Sequence, residues 1–210
     1  MVDRLPDNPF ERWTDRCVGM NVAVLERMER AVAKVRERLL RATSALKNAG
    51  IPFAVCGGNA VTFWVSTVDE GAVRNTREID LLVYRNDLPS ITVALENAAF
   101  VADVVYDVVM FRDGADGKPS EAIRLLFAGE KTRSDHSHPA PEITCIPDPA
   151  NFPVVTLESL VVMKLLSNRD KDRTHLRDLI GVGLVDSSWP AKLPSQLAER
   201  LQQILDNPDS

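Results

Sequence analysis

The sequence predicts a mixed α/β fold of the α+β kind, a mixed sheet packed with helices and followed by a C-terminal helical part. Three observations point to it. Short apolar runs of strand length recur between residues 51 and 128, with turn residues between them. An apolar run enters the glycine pair Gly57-Gly58 and continues as a helical pattern. Helical periodicity then takes over after residue 156, so that strands come first and helices follow. The chain has 210 residues, 45% of them hydrophobic and 26% charged, which is ample for a sizeable core. Three parts are expected: an N-terminal arm and long helix over 1–50, a core over 51–153, and a helical part over 154–210.

Taken in order, residues 1–18 are polar with Pro6 and Pro9 and predict a loosely attached arm. Val24, Met28, Ala31, Val35, Leu39, Ala42 and Leu46 recur at helical spacing and predict a helix over 20–48, stopped by Gly50 with Pro52 beyond. Its other face carries Arg27, Arg30, Lys34, Arg36, Arg38, Arg41 and Lys47 among glutamates, the pattern of a solvated face. Residues 52–56 read as a buried strand, 58–66 as a helix, 67–75 as a polar loop and 78–84 as a second strand. Asp87 or Ser90 caps a helix through residue 99. Residues 101–112 and 122–128 read as strands on either side of the turn Asp113-Gly114-Ala115-Asp116-Gly117. The segment 139–153 has the prolines of a linker. Thr156 then caps a helix through 166, and further helices are expected over 172–180 and 194–205.

Composition narrows the function. A net charge of −5 argues against a protein that holds nucleic acid by bulk charge, though not against a local basic groove. The three cysteines, Cys17, Cys56 and Cys145, have no metal-ligand or disulfide spacing, which reads as a reducing cytoplasm. The N-terminal sequence lacks the apolar core of a secretion signal, and no stretch reaches the roughly 18 consecutive apolar residues of a membrane span. A cytoplasmic protein without membrane attachment is expected. His136 and His138 lack a third ligand at usable spacing, so they do not predict a metal site.

The chemistry concentrates at two places. Gly57 and Gly58 allow close backbone approach to an anion at a helix start. Glu78 and Asp80 lie two positions apart in an apolar strand and so project from one face. Two buried carboxylates on one face repel each other and lose hydration unless a cation lies between them. Plainer alternatives stand beside these readings. The glycines also suit a tight strand-to-helix turn, and the acids a wet sheet edge. Lys164 also suits a lysine snorkelling from an apolar helix, and residues 171–178 a solvated helix of ion pairs.

Gly57-Gly58-Asn59-Ala60, Arg74 with Thr76, Glu78-Ile79-Asp80, and the C-terminal run from Leu157 through Lys164, Arg169, Lys171 and Asp178 together resemble the nucleotidyltransferase superfamily with a polymerase-β-like core. Within it the chain looks most like the AbiEii-type branch, which includes toxins of toxin–antitoxin systems. The resemblance covers roughly residues 51–185. It implies a nucleotidyltransferase-like sheet, Mg²⁺ as cofactor, and transfer of an NMP from an NTP to an RNA or protein acceptor, with an antitoxin as partner of a toxin. Gly57, Gly58 and Asn59 would then hold the triphosphate, Arg74 and Thr76 would contact it or lock the loop, and Glu78 and Asp80 would ligate metal. Lys164, with Arg169 and Lys171, would grip the nucleotide from the helical side, and Asp178 would orient a basic group. Three positions depart from the pattern. Glu78 stands where Asp is usual, Asn59 where a hydroxyl residue is common, and Arg124 where active members place a third carboxylate. Asp103 and Asp107 are the substitutes for that acid. The alternative is a nucleotide-binding or protein-interaction module that has lost catalysis. Where the Arg124 side chain lies relative to Glu78 and Asp80 decides between the two.

Overall fold

In the computed structural model, residues 22–106, 108–146 and 152–207 are described. The expected arm over 1–18, the first two residues of the predicted long helix and Asp107 lie outside them, as do residues 147–151 of the expected linker. By its internal contacts the chain forms two compact units, Met1–Lys34 and Val35–Ser210. In the first, the described residues belong to helix α1, Val22–Asn48, which continues into the second.

The second unit is built on a seven-stranded mixed sheet. Its strands are β1 (Phe53–Cys56), β2 (Ile79–Val83), β3 (Phe100–Val105), β4 (Val108–Asp113), β5 (Ile123–Phe127), β6 (Cys145–Ile146) and β7 (Val154–Val155). They lie side by side in the order β3-β4-β5-β2-β1-β7-β6. The two central strands are fully buried, β2 running antiparallel to β1 and parallel to β5. This burial explains why β1 and β2 read as continuous apolar runs rather than as alternating ones.

Helices α2 (Gly57–Ser66), α3 (Leu88–Asn97), α4 (Leu157–Ser167), α5 (Asp170–Gly181) and α6 (Ser195–Asp206) complete this unit. A core from Val35 to Ile204 joins them to the sheet, with Leu46, Ile79, Leu81, Leu160, Leu176 and Leu201 at no measurable exposure. Each such side chain contributes on the order of 1.5–3 kcal/mol by leaving water. Polar groups tie the elements at their ends. Thr156 caps α4, its hydroxyl accepting from the Ser159 amide at 3.3 Å. Arg200 of α6 donates to the Leu165 carbonyl at 2.7 Å, filling one of the open acceptors at the end of α4. The Trp64 indole of α2 donates to the Val155 carbonyl of β7 at 3.1 Å.

Three expectations change. Residues 101–112 are not one strand but the β3–β4 hairpin, with Tyr106 at φ +48° at its turn. The apolar run spans both arms without a glycine or proline to mark the reversal, which is why it reads as continuous. The expected linker over 139–153 contributes β6, which pairs with β7 at the sheet edge. The basic face of the long helix is also not wholly solvated. Arg38 is 3% exposed and donates to the Glu121 carbonyl, and Arg41 pairs with Asp113 while stacking 4.5 Å from the Phe100 ring centre.

Candidate functional site

Parallel pairing of β2 with β5 puts Asp80 directly beside Arg124. Side chains at paired positions share a face, so the guanidinium of Arg124 lies where Glu78 and Asp80 converge. Its Nη2 is 2.8 Å from Glu78 Oε2 and 2.8 Å from Asp80 Oδ1. Its Nε donates to the same Asp80 oxygen at 2.8 Å, and Nη1 to Glu78 Oε1 at 3.3 Å. A second cation, Lys171 of α5, reaches Glu78 Oε2 at 2.6 Å. Two carboxylates are therefore matched by two cations, one of them a planar fork that suits bidentate pairing.

The titration behaviour follows from this geometry. Burial raises the Glu78 pKa, but the Lys171 hydrogen bond and Arg124 outweigh it and hold the carboxyl below its ordinary value. Burial likewise opposes the charge on Arg124, and Asp80 followed by Glu78 outweighs it, raising that pKa.

The glycine pair is shaped by these neighbours. A Cβ at Gly57 would lie 2.0 Å from Asp80 Oδ2, and one at Gly58 would lie 2.8 Å from Thr76 Oγ1. The side chains of Asp80 and Thr76 thus stand where a Cβ at either glycine would go. Asn59 is engaged as well, its amide donating to the Glu78 carbonyl at 2.7 Å and fixing the entry to β2. Thr76 Oγ1 accepts from the Glu78 amide at 3.3 Å. Arg74 pairs with Asp178 at 2.8 Å, which ties the loop before β2 to α5.

On the helical side, Lys164 is buried and its ammonium donates to Asp172 Oδ1 at 3.0 Å. Arg169 donates to the other oxygen of Asp172 at 2.7 Å. Asp172 has a side chain only 1% exposed and is the organising acid of this cluster, a role that sequence reasoning missed. Burial raises its pKa, yet Arg169 and Lys164 overcome this and leave the carboxyl far below the usual range. His175, beside this cluster on α5, has Nδ1 buried with no hydrogen-bond partner. Burial, reinforced by Lys164, lowers its pKa to about 4.

A cavity of about 350 Å³ opens between the sheet and α4–α5. Gly57, Asp80, Lys164 and Arg169 of the expected site line it, together with Arg124 and Asp172. Gly58, Asn59, Arg74, Thr76, Glu78, Lys171 and Asp178 stand around it rather than in its wall. Arg85, Glu130, Lys131, Thr132, Arg133, His136 and Ser167 complete its polar lining, and of these the sequence singles out only His136. Arg85 is held flat on the Phe127 ring at 3.7 Å and pairs with Glu130 at 2.6 Å.

Solved structures are similar to the chain. The crystal structure of ANT(2'')-Ia in complex with adenylyl-2''-tobramycin matches at 12% identity and a TM-score of 0.47, over 85% of this chain and 98% of that one. The solution structure of the same antibiotic-resistance factor matches at 12% identity and a TM-score of 0.44, over 79% and 80%. An antigenic nucleotidyltransferase-like protein from Paracoccidioides brasiliensis matches at 17% identity and a TM-score of 0.49, over 82% and 88%. No family model matches the sequence, and no curated protein does.

The expected cofactor is Mg²⁺. Mg²⁺ takes oxygen ligands at about 2.0–2.1 Å in near-octahedral geometry. Here Glu78 Oε2 and Asp80 Oδ1 each lie 2.8 Å from Nη2 of Arg124. Among the described residues no group of three or more His, Cys, Asp or Glu side chains is arranged to hold a metal ion. Asp103, a substitute for the third acid, pairs instead with Arg112 at 3.2 Å on the β3–β4 hairpin. In this arrangement the residues do not fit a divalent cation. Among the described residues no helix is long and apolar enough to cross a membrane.

Proposed function

We propose that the chain is a nucleotide-binding module with nucleotidyltransferase-like architecture, which holds the phosphates of an NTP with its own cations. The observation that carries this reading is the charge of the cavity. In a chain of net charge −5, six cationic residues line it against three acidic ones among the described residues. An excess of one sign of charge in a cleft concentrates field there and attracts a ligand of the opposite sign. Arg124, Lys164 and Arg169 line the inner wall, and Lys131 and Arg133 contribute a further basic segment. The size suits a small ligand with a few convergent polar groups.

A second reading keeps catalysis. Glu78 and Asp80 share a face beside Gly57, as Mg²⁺-dependent transfer of an NMP to an RNA or protein acceptor requires. The AbiEii-like resemblance would make such an enzyme a toxin with an antitoxin partner. That reading requires Arg124 to leave the two acids.

Calorimetry with each NTP separates the two. Binding of at least one NTP is expected with EDTA as well as with Mg²⁺, without pyrophosphate release in cell extract. Arg133→Ala, which truncates an exposed side chain, should weaken that binding by about fivefold, the worth of roughly one charge-assisted contact. Absence of binding to every NTP sinks the module. Mg²⁺-dependent labelling of extract that is lost in Asp80→Ala establishes the enzyme instead.

A further inference from the structure

We infer that Arg124 is a built-in replacement for the divalent cation, so that the pair Glu78–Asp80 binds no metal in the native chain and gains a metal site when the guanidinium is removed. This deepens the reading of a module that works without metal, but rests on separate contacts. A cation shared by two carboxylates must approach one oxygen of each. In this structure Nη2 of Arg124 does so, 2.8 Å from Glu78 Oε2 and 2.8 Å from Asp80 Oδ1. Nε and Nη1 add further contacts to the same two acids, at 2.8 and 3.3 Å. Displacing the side chain would break these bonds and leave a half-buried guanidinium without its acceptors, a cost a weakly bound ion does not meet.

The fold holds the side chain there. Asp80 and Arg124 are register partners on two adjacent central strands, so Arg124 is fixed by the sheet and not by a loop. Asp80 is held from behind by Gly57, whose missing Cβ makes room for its Oδ2. Lys171 reinforces the arrangement from α5 by neutralising the second charge of the acid pair. Remove the guanidinium alone and two carboxylates face each other across space of their own, with Lys171 on Glu78 only. Such a pair recruits a hard cation through its oxygens.

The test is titration with Mn²⁺, in the absence of nucleotide, followed by the electron paramagnetic resonance signal of the free ion. The full-length native chain, R124M and R124M/D80N are compared. The native chain should leave Mn²⁺ free into the millimolar range. R124M should bind one Mn²⁺ at least about tenfold more tightly, a gain of about 1.4 kcal/mol, and R124M/D80N should lose it. The inference is overturned if the native chain binds one Mn²⁺ as tightly as R124M. It is also overturned if R124M, folded by circular dichroism, binds no better than the native chain. Should R124M not fold, the native titration decides: one ion bound below the millimolar range refutes the inference, and none supports it. A failure to bind NTP would overturn the nucleotide reading and leave these outcomes unchanged.

Discussion

At Gly57 the backbone stands at φ +66°, and a Cβ there would fall 2.0 Å from Asp80 Oδ2. Both facts demand glycine, and the second comes from a protein carboxylate. From sequence, a glycine pair opening a helix is equally a phosphate cradle or a tight turn, because both need the same freedom of backbone and the same lack of Cβ. Gly57→Ala should therefore destabilise the fold by roughly 2 kcal/mol or more, about 1–2 of it from the left-handed backbone and the rest from displacing Asp80. For a chain of this size that is a fall in Tm of roughly 4–8 °C. A double-mutant cycle with Asp80→Gly should recover the steric part and leave the backbone part. If Gly57→Ala is as stable as the native chain, the contact with Asp80 is not as close as described.

Helices α4 and α5 are joined through one buried acid. Asp172 receives Lys164 from α4 at 3.0 Å and Arg169 from its own helix start at 2.7 Å. Removing its charge strands a buried ammonium, which costs about 3–5 kcal/mol by the general behaviour of broken buried pairs. Asp172→Asn should show this as a lower urea midpoint at pH 7. The pH dependence has a definite sign. The folded pKa of Asp172 is depressed, so its contribution is complete above the unfolded value of about 3.9 and is lost as pH falls below it. His175 acts earlier: with a folded pKa of about 4, it stays neutral while the unfolded chain takes up protons below about 6.5. The native midpoint should fall from pH 6.5 downward, and the gap to Asp172→Asn should narrow only below about pH 4. A gap unchanged from pH 7 to 3 would show that the charge of Asp172 does not hold the helices. The helices themselves were legible in the sequence, since their periodicity is local. The work of Asp172 was not, because an acid among Arg and Lys at helical spacing also reads as a solvated ion-pair face. Arg124 was legible as a departure. Its contact with both acids depends on the parallel register of β2 and β5, a pairing between strands separated by a helix and a hairpin that no local pattern fixes.

At the scale of the whole chain, the buried core runs, among the described residues, from Val35 to Ile204, and the described residues lining the cavity lie between Gly57 and Asp172. Of the described apolar residues before it, Val22, Leu25, Met28 and Val32 are 42–70% exposed. They remove little apolar surface from water in this chain and so contribute little to its stability. A chain beginning at Lys34 keeps the core, the seven-stranded sheet and the acid pair with its two cations. It should unfold in one cooperative step with a Tm within about 3 °C of the full chain, a difference of roughly 1 kcal/mol. It should also show the same Mn²⁺ and NTP behaviour, because those depend on contacts wholly inside the second unit. A fall of more than about 10 °C, or loss of NTP binding with the Tm intact, would mean that residues 1–33 carry part of the fold or of the site. The sheet carries this expectation: β1 and β2 at its centre are buried by residues from Val35 onward, and the register that brings Arg124 to Asp80 is set by those strands alone.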